Sequence, residues 1–380
     1  MSAPAVRHDR IRVLVVDDSA YMRRRITRML EGSPLVTVID TARDGEDALR
    51  KTLEQKPDLI TLDLEMPRMD GFTFLRFVMS RQPTPVLVVS GHAHDHEVFR
   101  ALELGAADFI AKPEGSPLDL EQIQQELLRK VHAVRELRVE HLRRESGLLV
   151  AAPQPGPPAP KEQAREVERT TAPIVVIGSS TGGPSALLQV FGSLIEPPPR
   201  AFVVAQHMPA GFTRGFAERL DRLTTLRTRE ARDGDVPLPG TVLVAPGNAH
   251  LELVRESGRI VARVTPRGHQ DRYAPSVDRL FRSAARVCGA ELLAVVLTGM
   301  GDDGREGVLA VKRAGGHVIA EAEETAVVFG MPKQAIRTGA VDAVLPLDAI
   351  GPVLRGAETP GQPSGLPPTQ PPGAARVPVR

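Results

Sequence analysis

The stretch IRVLVVDDSAYMRRRI, residues 11–26, decides the fold of the N-terminal part of the chain. Its first six residues are mostly apolar and rich in β-branched side chains, which is typical of a strand buried on both faces. Two aspartates follow, and a segment with helical periodicity begins near Ser19. A strand that passes into a helix through an acidic turn predicts a βα unit. The two aspartates alone could also serve as a helix N-cap.

The same alternation continues along the first part of the chain. Further apolar runs lie at 36–40, 58–62, 86–89 and 108–110. Helix-length patterns occur between them, for example at 20–31 and 72–80, and a long amphipathic segment covers 118–145. Five βα units of this kind predict a doubly wound, mainly parallel sheet.

The second part of the chain repeats this organisation. Strand patterns lie at 174–178, 201–205, 241–245, 292–298 and 317–320. Helices are predicted at 184–191, 275–287 and 304–314, and a hairpin at 251–264. The predicted class is therefore α/β, with two doubly wound, mainly parallel-sheet domains.

Two proline-rich stretches divide the chain. Residues 131–172 begin as the end of a helix and continue as a proline-rich and charged run, which predicts a semi-extended linker. Residues 357–380 have a similar composition and predict a disordered tail. We therefore expect folded domains at 10–130 and 173–356.

The composition excludes several classes of protein. A formal net charge of +1 among 380 residues provides no electrostatic footprint for nucleic acid or an anionic membrane, and 3% aromatic residues disfavour a base-stacking surface. The single cysteine, Cys288, fits a reducing compartment. No apolar run approaches the ~18–20 residues of a membrane helix, and the first ten residues lack a signal-peptide pattern. We therefore expect a cytoplasmic protein that neither inserts into membranes nor binds nucleic acid.

Several polar side chains of the first part follow predicted strands. Asp17 and Asp18 follow the first strand, Asp63 the third, Ser90 the fourth and Lys112 the fifth. In an open α/β sheet these ends converge. Three converging carboxylates need a divalent cation such as Mg²⁺, and Asp63 could then attack a phosphoryl donor while Lys112 and Ser90 take phosphoryl oxygens.

These motifs resemble the response-regulator receiver domain, which has a flavodoxin-like fold, over residues 10–130. The resemblance rests on VLVVDDSAYMRRRI, LITLDLEMPRMDG, VLVVSGHA and GAADFIAKP. It implies Asp17, Asp18 and Asp63 as Mg²⁺ ligands, with Asp63 as the phosphoacceptor. It also implies that Lys112 is the family's lysine that binds a phosphoryl oxygen, and that Ser90 and Phe109 are the hydroxyl and aromatic switch residues.

The second part begins with IVVIGSSTGGPSALL, a strand, a small-residue loop and a helix. Such a loop could cradle phosphate, cap a helix, or hold a nucleophile beside an oxyanion hole. The phosphate interpretation is weak because GxGxxG spacing and a following Gly-Lys are missing. His207 and the pair Asp302 and Asp303 follow later strands, so a serine, a histidine and an aspartate can meet at one sheet edge as a charge-oriented nucleophile.

The catalytic part resembles the chemotaxis protein-glutamate methylesterase (CheB) family over about residues 173–350. The resemblance rests on GSSTGG, QHMPAGFT, APGNAH, PSVDRLF, LTGMGDDG and FGMPKQAI. It implies Ser180 as the nucleophile, His207 as the base and Asp303 as the acid, with oxyanion contacts near Thr181 and Met300. Asp302 stands where the family more often has asparagine, and a second carboxylate could perturb the pKa of its neighbours.

The resemblance implies a hydrolase that removes methyl esters from glutamates of methyl-accepting chemoreceptors and deamidates certain receptor glutamines. A chemotaxis histidine kinase would donate phosphate to a receiver that gates the esterase, and the esterase reaction would need no cofactor. Two alternatives remain at this point: a related chemosensory pathway with other receptors, and a non-enzymatic regulator whose second domain binds a partner. His250 could line the pocket or be a hydrogen-bonded loop histidine.

Overall fold

The computed structural model describes residues 10–91, 95–112, 117–134 and 172–356. The first sheet is parallel and has the strand order β2-β1-β3-β4-β5. Its strands are β1 (Ile11–Val16), β2 (Val36–Ala42), β3 (Leu59–Leu62), β4 (Val86–Ser90) and β5 (Asp108–Ala111). The helices are α1 (Ala20–Glu31), α2 (Gly45–Gln55), α3 (Gly71–Arg81), α4 (Asp95–Glu103) and α5 (Pro117–Ala133). This order confirms the predicted doubly wound sheet.

Local capping explains where α1 begins. The N-cap is Ser19, whose hydroxyl accepts from the Met22 N–H, and Asp17 in turn accepts from the Ser19 N–H at 2.8 Å. The aspartate pair therefore precedes the cap and lies at the carboxyl end of β1. The predicted helix at 118–145 is described as α5 up to Ala133, and residues 135–171 lie outside the described part.

The second sheet has seven parallel strands in the order β14-β13-β12-β6-β7-β9-β8. They are β6 (Ile174–Ser179), β7 (Ala201–Gln206), β8 (Arg227–Glu230), β9 (Thr241–Val244), β12 (Leu293–Val296), β13 (His317–Glu321) and β14 (Ala343–Leu345). The predicted hairpin is confirmed as β10 (Ala249–Glu256) and β11 (Arg259–Pro266). The helices are α6 (Gly183–Gly192), α7 (Phe212–Leu223), α8 (Val277–Cys288), α9 (Arg305–Arg313), α10 (Met331–Arg337) and α11 (Leu347–Leu354).

The two strands that the sequence patterns did not predict, β8 and β14, lie at the edges of this sheet. β8 reads RTRE and β14 is only three residues long, so neither carries the apolar run of a central strand. The central strands β6, β7 and β12 are almost completely buried. The chain reverses its direction of strand addition between β6 and β12, which makes their carboxyl ends the topological switch point where sites form.

The two sheets share a continuous apolar cluster. Phe99 of α4 packs on Phe216 of α7 with ring centroids 5.7 Å apart, and Phe109 of β5 packs on Phe212 at 4.7 Å. All four rings are at most 2% exposed. In the part of the chain that the structure describes, no helix combines the length and apolar character needed to cross a membrane.

Candidate functional site

An acidic pocket lies at the carboxyl ends of β1 and β3. Asp17 and Asp18 follow β1, and Asp63 follows β3. One carboxylate oxygen from each lies within 4.8 Å of the others. Asp17 and Asp63 are buried, whereas Asp18 is exposed. The structure thus brings together the three residues that the sequence suggests as metal ligands.

The electrostatics of this pocket suit a cation. The Oδ1 atom of Asp17 accepts from Ser19, whereas its buried Oδ2 has no partner among the described residues. Burial, followed by the charge of Asp63, raises the pKa of Asp17 to about 6. A divalent cation would provide the orphaned oxygen with a partner and offset the repulsion between the carboxylates. Three hard oxygen donors fit Mg²⁺.

Lys112 and Ser90 flank the same pocket. The Lys112 ammonium donates to Oδ2 of Asp63 at 2.8 Å. Burial alone would lower the pKa of Lys112, but the hydrogen bond and charge of Asp63 outweigh burial and raise it. Ser90 is buried at the end of β4 with its hydroxyl 3.4 Å from the Gly91 carbonyl. Phe109 lies apart from these residues, because its ring is buried between the two sheets.

Ser180 stands on a tight turn between β6 and α6. Its N–H donates to the Thr298 carbonyl at 3.0 Å, and its carbonyl accepts from Gly183 at 2.8 Å. Gly182 has a φ of +80°, and a Cβ there would lie 2.8 Å from that of Val327. Only glycine meets both conditions without strain. The turn places Ser180 at the switch-point edge, where it is partly exposed.

His207 and Asp303 form a hydrogen-bonded pair at the same edge. Nε2 of His207 lies 2.8 Å from Oδ2 of Asp303, which is buried. The carboxylate also accepts from the N–H groups of Val277 and Asp278 at 2.7 and 2.9 Å, at the start of α8, and from the Ser276 hydroxyl at 3.1 Å. Burial would raise the pKa of Asp303, but the hydrogen bond and charge of His207 and the helix amides outweigh burial and lower it.

The described residues contain no hydrogen bond between the Ser180 hydroxyl and the His207 ring. The two loops are adjacent, because the His207 N–H donates to the Ser179 carbonyl at 3.0 Å. Since Nε2 meets Asp303, Nδ1 is the ring nitrogen left for the serine. Hydrogen bonds between catalytic groups are often long without substrate and tighten when it binds.

Two backbone donors next to Ser180 have no acceptor in the described ranges: the N–H groups of Thr181 and Met300. Met300 follows Gly299, whose backbone approaches so closely that a Cβ there would lie 2.8 Å from the Ser180 Cβ. Unpaired N–H groups beside a serine can hold a developing oxyanion.

Gln206 supports this loop pair, and the sequence reasoning assigned it no role. Its amide nitrogen donates to the carbonyls of Ser180 and His207 at 2.8 and 3.0 Å, and its oxygen accepts from the Ser179 hydroxyl at 2.6 Å. Gln206 thus ties together the two loops that carry Ser180 and His207. The available signal was the motif QHMPAGFT, in which the glutamine directly precedes the histidine.

Asp302 and His250, two further candidates from the sequence, lie apart from Ser180, His207 and Asp303. Asp302 is half exposed, and its carboxylate accepts from Arg272 at 3.0 Å, so its charge is paired away from Asp303. His250 is fully buried in β10 with Nε2 2.8 Å from Asp271, so it is a hydrogen-bonded histidine and lines no open pocket.

The first sheet contacts the catalytic edge directly. Asp108 precedes Phe109, and its Oδ2 accepts from the Thr181 hydroxyl at 2.5 Å. Lys130 of α5 holds the other carboxylate oxygen at 2.9 Å. Arg219 of α7 pairs with Glu103 of α4. One carboxylate of the first sheet is therefore bonded to the residue that follows Ser180.

Comparisons with known proteins identify the two halves of the chain. The sequence matches the profile of the response regulator receiver domain over residues 13–125 and that of the CheB methylesterase over residues 175–354. A relative from Geobacter sulfurreducens, named protein-glutamate methylesterase/protein-glutamine glutaminase 3, is 51% identical over 89% of this chain and 95% of its own length. A relative from Myxococcus xanthus, named protein-glutamate methylesterase/protein-glutamine glutaminase 1, is 49% identical over 90% of this chain and 96% of its own length.

Among solved structures, the CheB methylesterase catalytic domain of Thermotoga maritima is 43% identical over 50% of this chain and all of that chain, with a TM-score of 0.48. The response regulator domain of the CheB from that organism is 40% identical over 34% of this chain and 98% of that chain, with a TM-score of 0.32. Two profiles in this order, and relatives at about half identity along nearly their whole length, establish that the chain belongs to the CheB methylesterase family with an N-terminal response regulator receiver domain.

Proposed function

We propose that this chain is a phosphorylation-regulated protein-glutamate methylesterase and protein-glutamine glutaminase that acts on methyl-accepting chemoreceptors. The observation that carries the proposal is the 2.8 Å pair of His207 and Asp303 beside Ser180, at the switch point of the second sheet. The names of the relatives supply the substrate class. A partner-binding domain without catalysis would not need this pair.

The proposed chemistry is acyl transfer through a serine. His207 takes the Ser180 proton as Oγ attacks the γ-carbonyl of a glutamyl methyl ester, and the N–H groups of Thr181 and Met300 hold the oxyanion. Asp303 orients the imidazole and stabilises its cation. Collapse of the tetrahedral intermediate breaks the ester C–O bond, and His207 returns the proton to the leaving methanol. Water, activated by the same histidine, then hydrolyses the acyl-enzyme. A glutamine substrate would lose ammonia instead.

The proposed receiver chemistry centres on Asp63. Asp17, Asp18 and Asp63 would hold Mg²⁺, which would supply positive charge to the phosphoryl oxygens. A carboxylate oxygen of Asp63 attacks the phosphorus of a phosphohistidine on the kinase, the P–N bond breaks, and the kinase histidine leaves as Asp63 becomes an aspartyl phosphate. Lys112 stabilises the phosphoryl oxygens, and the Ser90 hydroxyl can turn from the Gly91 carbonyl to donate to one of them. Ser90 pairs with Ala111 of β5, and Lys112 directly follows Ala111. Phosphorylation therefore changes charge and hydrogen bonding at the end of β5.

Gating is supported by the contacts between the domains. Phe109, the proposed aromatic switch, packs on Phe212, and the neighbouring Asp108 binds the Thr181 hydroxyl. A receiver rearrangement that moves Phe109 would therefore disturb the loop of Ser180. We propose that the docked receiver restrains the esterase and that the phosphorylated receiver releases it.

The domain limits and the location belong to the same proposal. We divide the chain into a receiver at 10–130, a linker at 131–172, a catalytic domain at 173–356 and a tail at 357–380. The two profile matches lie within the first and third of these segments. A cytoplasmic location agrees with a kinase phosphodonor and with cytoplasmic receptor glutamates as substrate.

The test measures methanol release from methylated chemoreceptor membranes by the purified chain, with and without Mg²⁺ and a small phosphodonor. Release that rises with the phosphodonor and disappears in Ser180→Ala supports substrate, nucleophile and gating together. If no methanol is released although Asp63 becomes phosphorylated, the receiver assignment stands and the substrate assignment fails.

A further inference from the structure

Tyr273 lies against the ring of the catalytic base. The rings of Tyr273 and His207 are nearly parallel, with an interplanar angle of 6° and centroids 4.7 Å apart, which is an offset stack. Tyr273 is partly buried on the segment before α8. The profile matches and the motifs of the sequence analysis assign this side chain no role.

A single hydrogen bond does not determine the plane of an imidazole. The bond from His207 to Asp303 restrains one ring nitrogen at 2.8 Å, but the ring can still rock about that bond. A flat partner on one face restricts this motion, because tilting either ring loses dispersion contact. The stack therefore restricts the direction in which the second nitrogen points, and that nitrogen must meet the Ser180 proton.

Tyr273 is itself restrained by the residue that precedes the triad aspartate. Its hydroxyl lies 3.4 Å from Oδ1 of Asp302, and Arg272 binds the same oxygen at 3.0 Å. Burial, first among the causes, raises the pKa of Tyr273, so the phenol stays protonated and can donate. The two neighbouring aspartates thus hold the two stacked rings, Asp303 the imidazole and Asp302 the phenol.

Two cations and a buried histidine complete the support. The guanidinium carbon of Arg272 lies 5.0 Å from the Tyr273 ring centroid, and that of Arg129, on α5 of the receiver, lies 5.8 Å from it. Asp271, which directly precedes Arg272, forms a hydrogen bond of 2.8 Å with the buried His250. The segment is therefore anchored to the hairpin on one side and in contact with the receiver on the other.

We propose that Tyr273 is a positioning residue for the esterase, which holds the plane of the His207 imidazole for proton transfer with Ser180. This inference rests on the proposed function of His207 as the base. The Oδ1 atom of Asp302 supports this arrangement, since it accepts from both the Tyr273 hydroxyl and the Arg272 guanidinium. Tyr273 acts through His207 and not on the substrate.

The test compares Tyr273→Ala with Tyr273→Phe, which keeps the ring and loses only the hydroxyl. For methanol release we expect kcat to fall about tenfold in Tyr273→Ala, with KM within about twofold, because the stack is lost while substrate contacts remain. Tyr273→Phe should retain at least about a third of kcat. Tyr21→Ala serves as the matched control, because Tyr21 is the other tyrosine and lies exposed on α1.

A second readout does not depend on turnover. In protein carrying ¹⁵N-histidine, the two ring nitrogens of His207 should give the separate shifts of one tautomer in the wild type and in Tyr273→Phe. In Tyr273→Ala the two shifts should move towards each other, because a ring that is free to turn can offer either nitrogen to Asp303 and so exchanges between its two tautomers. Unchanged ring shifts in Tyr273→Ala would overturn the inference even if no methanol were released. A rise in KM with kcat unchanged would also overturn it, by making Tyr273 a wall of the substrate pocket.

Discussion

The ion pair between Glu103 and Arg219 offers a direct test of gating, because it joins the receiver to the esterase away from both reaction centres. Glu103 lies on α4 and Arg219 on α7. The Arg219 side chain is only 13% exposed, and burial together with the charge of Arg222 lowers its pKa to about 10. At neutral pH the guanidinium is still charged, and when the domains are docked the Glu103 carboxylate is the partner that compensates this mostly buried charge.

The change Glu103→Ala removes that partner and leaves a mostly buried cation. A hydrogen bond to a charged group contributes about 1.5–3 kcal/mol, and a fully buried broken pair costs more. With a discount for the residual exposure, we expect docking to weaken by about 2 kcal/mol, or about 30-fold in the docking equilibrium. When the domains separate, water solvates Arg219, so the cost falls on the docked arrangement alone.

The assay is methanol release without a phosphodonor. Basal release by Glu103→Ala should rise, by up to about 30-fold or until the rate of the free esterase limits it, and the stimulation by phosphodonor should shrink. Adding Arg219→Ala to Glu103→Ala should lower basal release part of the way back towards the wild-type rate, because it removes the unpaired buried cation. The matched control is Glu218→Ala, which breaks the exposed pair of Arg214 and Glu218 on the same helix. Unchanged basal release would refute restraint by docking, and a fall would mean that the receiver supports the site.

Three further predictions concern single groups. Ser180→Ala should reduce methanol release to background while the melting temperature stays within about 2 °C, because the hydroxyl lies on a partly exposed turn; substantial residual turnover would remove Ser180 from its role. Asp63→Asn should abolish phosphoryl uptake and phosphodonor stimulation but keep basal release, as measured with labelled phosphodonor; stimulation at the wild-type level would contradict the receiver assignment. Glu321 is fully buried, and burial raises its pKa from 4.5 to about 7. The folded state therefore keeps a proton that the unfolded state releases, and this group makes stability fall by about 3 kcal/mol as the pH rises from 4.5 to 7. Glu321→Gln should remove that fall in urea titrations at several pH values; the same decline in both proteins would contradict it.

Most of the central architecture could be predicted from local patterns. β1, β6 and β7 carry largely apolar runs because both faces of a central parallel strand are buried, and such runs are visible without tertiary information. β8 and β14 escaped prediction because edge strands need no such run. The rule that strand ends converge predicted that Asp17, Asp63, His207 and a serine of the loop after β6 lie at the carboxyl edges of their sheets, and the family resemblance selected Ser180 within that loop.

The support of the site could not be predicted in this way. Gln206, Tyr273 and Asp278 contact partners that are distant in sequence. The Asp278 carboxylate, for example, accepts from the N–H groups of Gly304 and Gly307 at 3.0 and 2.6 Å. Their residue types are common on surfaces, and periodicity gives no sign of such bonds. The contact between Asp108 and Thr181 likewise joins residues 73 positions apart.

The sequence by itself determined the class of fold, the two domains and the residue types that could carry phosphoryl and acyl transfer. It did so because burial and turn chemistry act over a few neighbouring residues and leave periodic traces. Only the tertiary structure decided which faces meet: that Phe109 packs on the helix after His207, that Asp302 pairs with Arg272, and that Tyr273 lies flat on the His207 ring. These contacts depend on how two sheets dock, and docking is set by the summed packing of distant side chains, which local pattern does not encode.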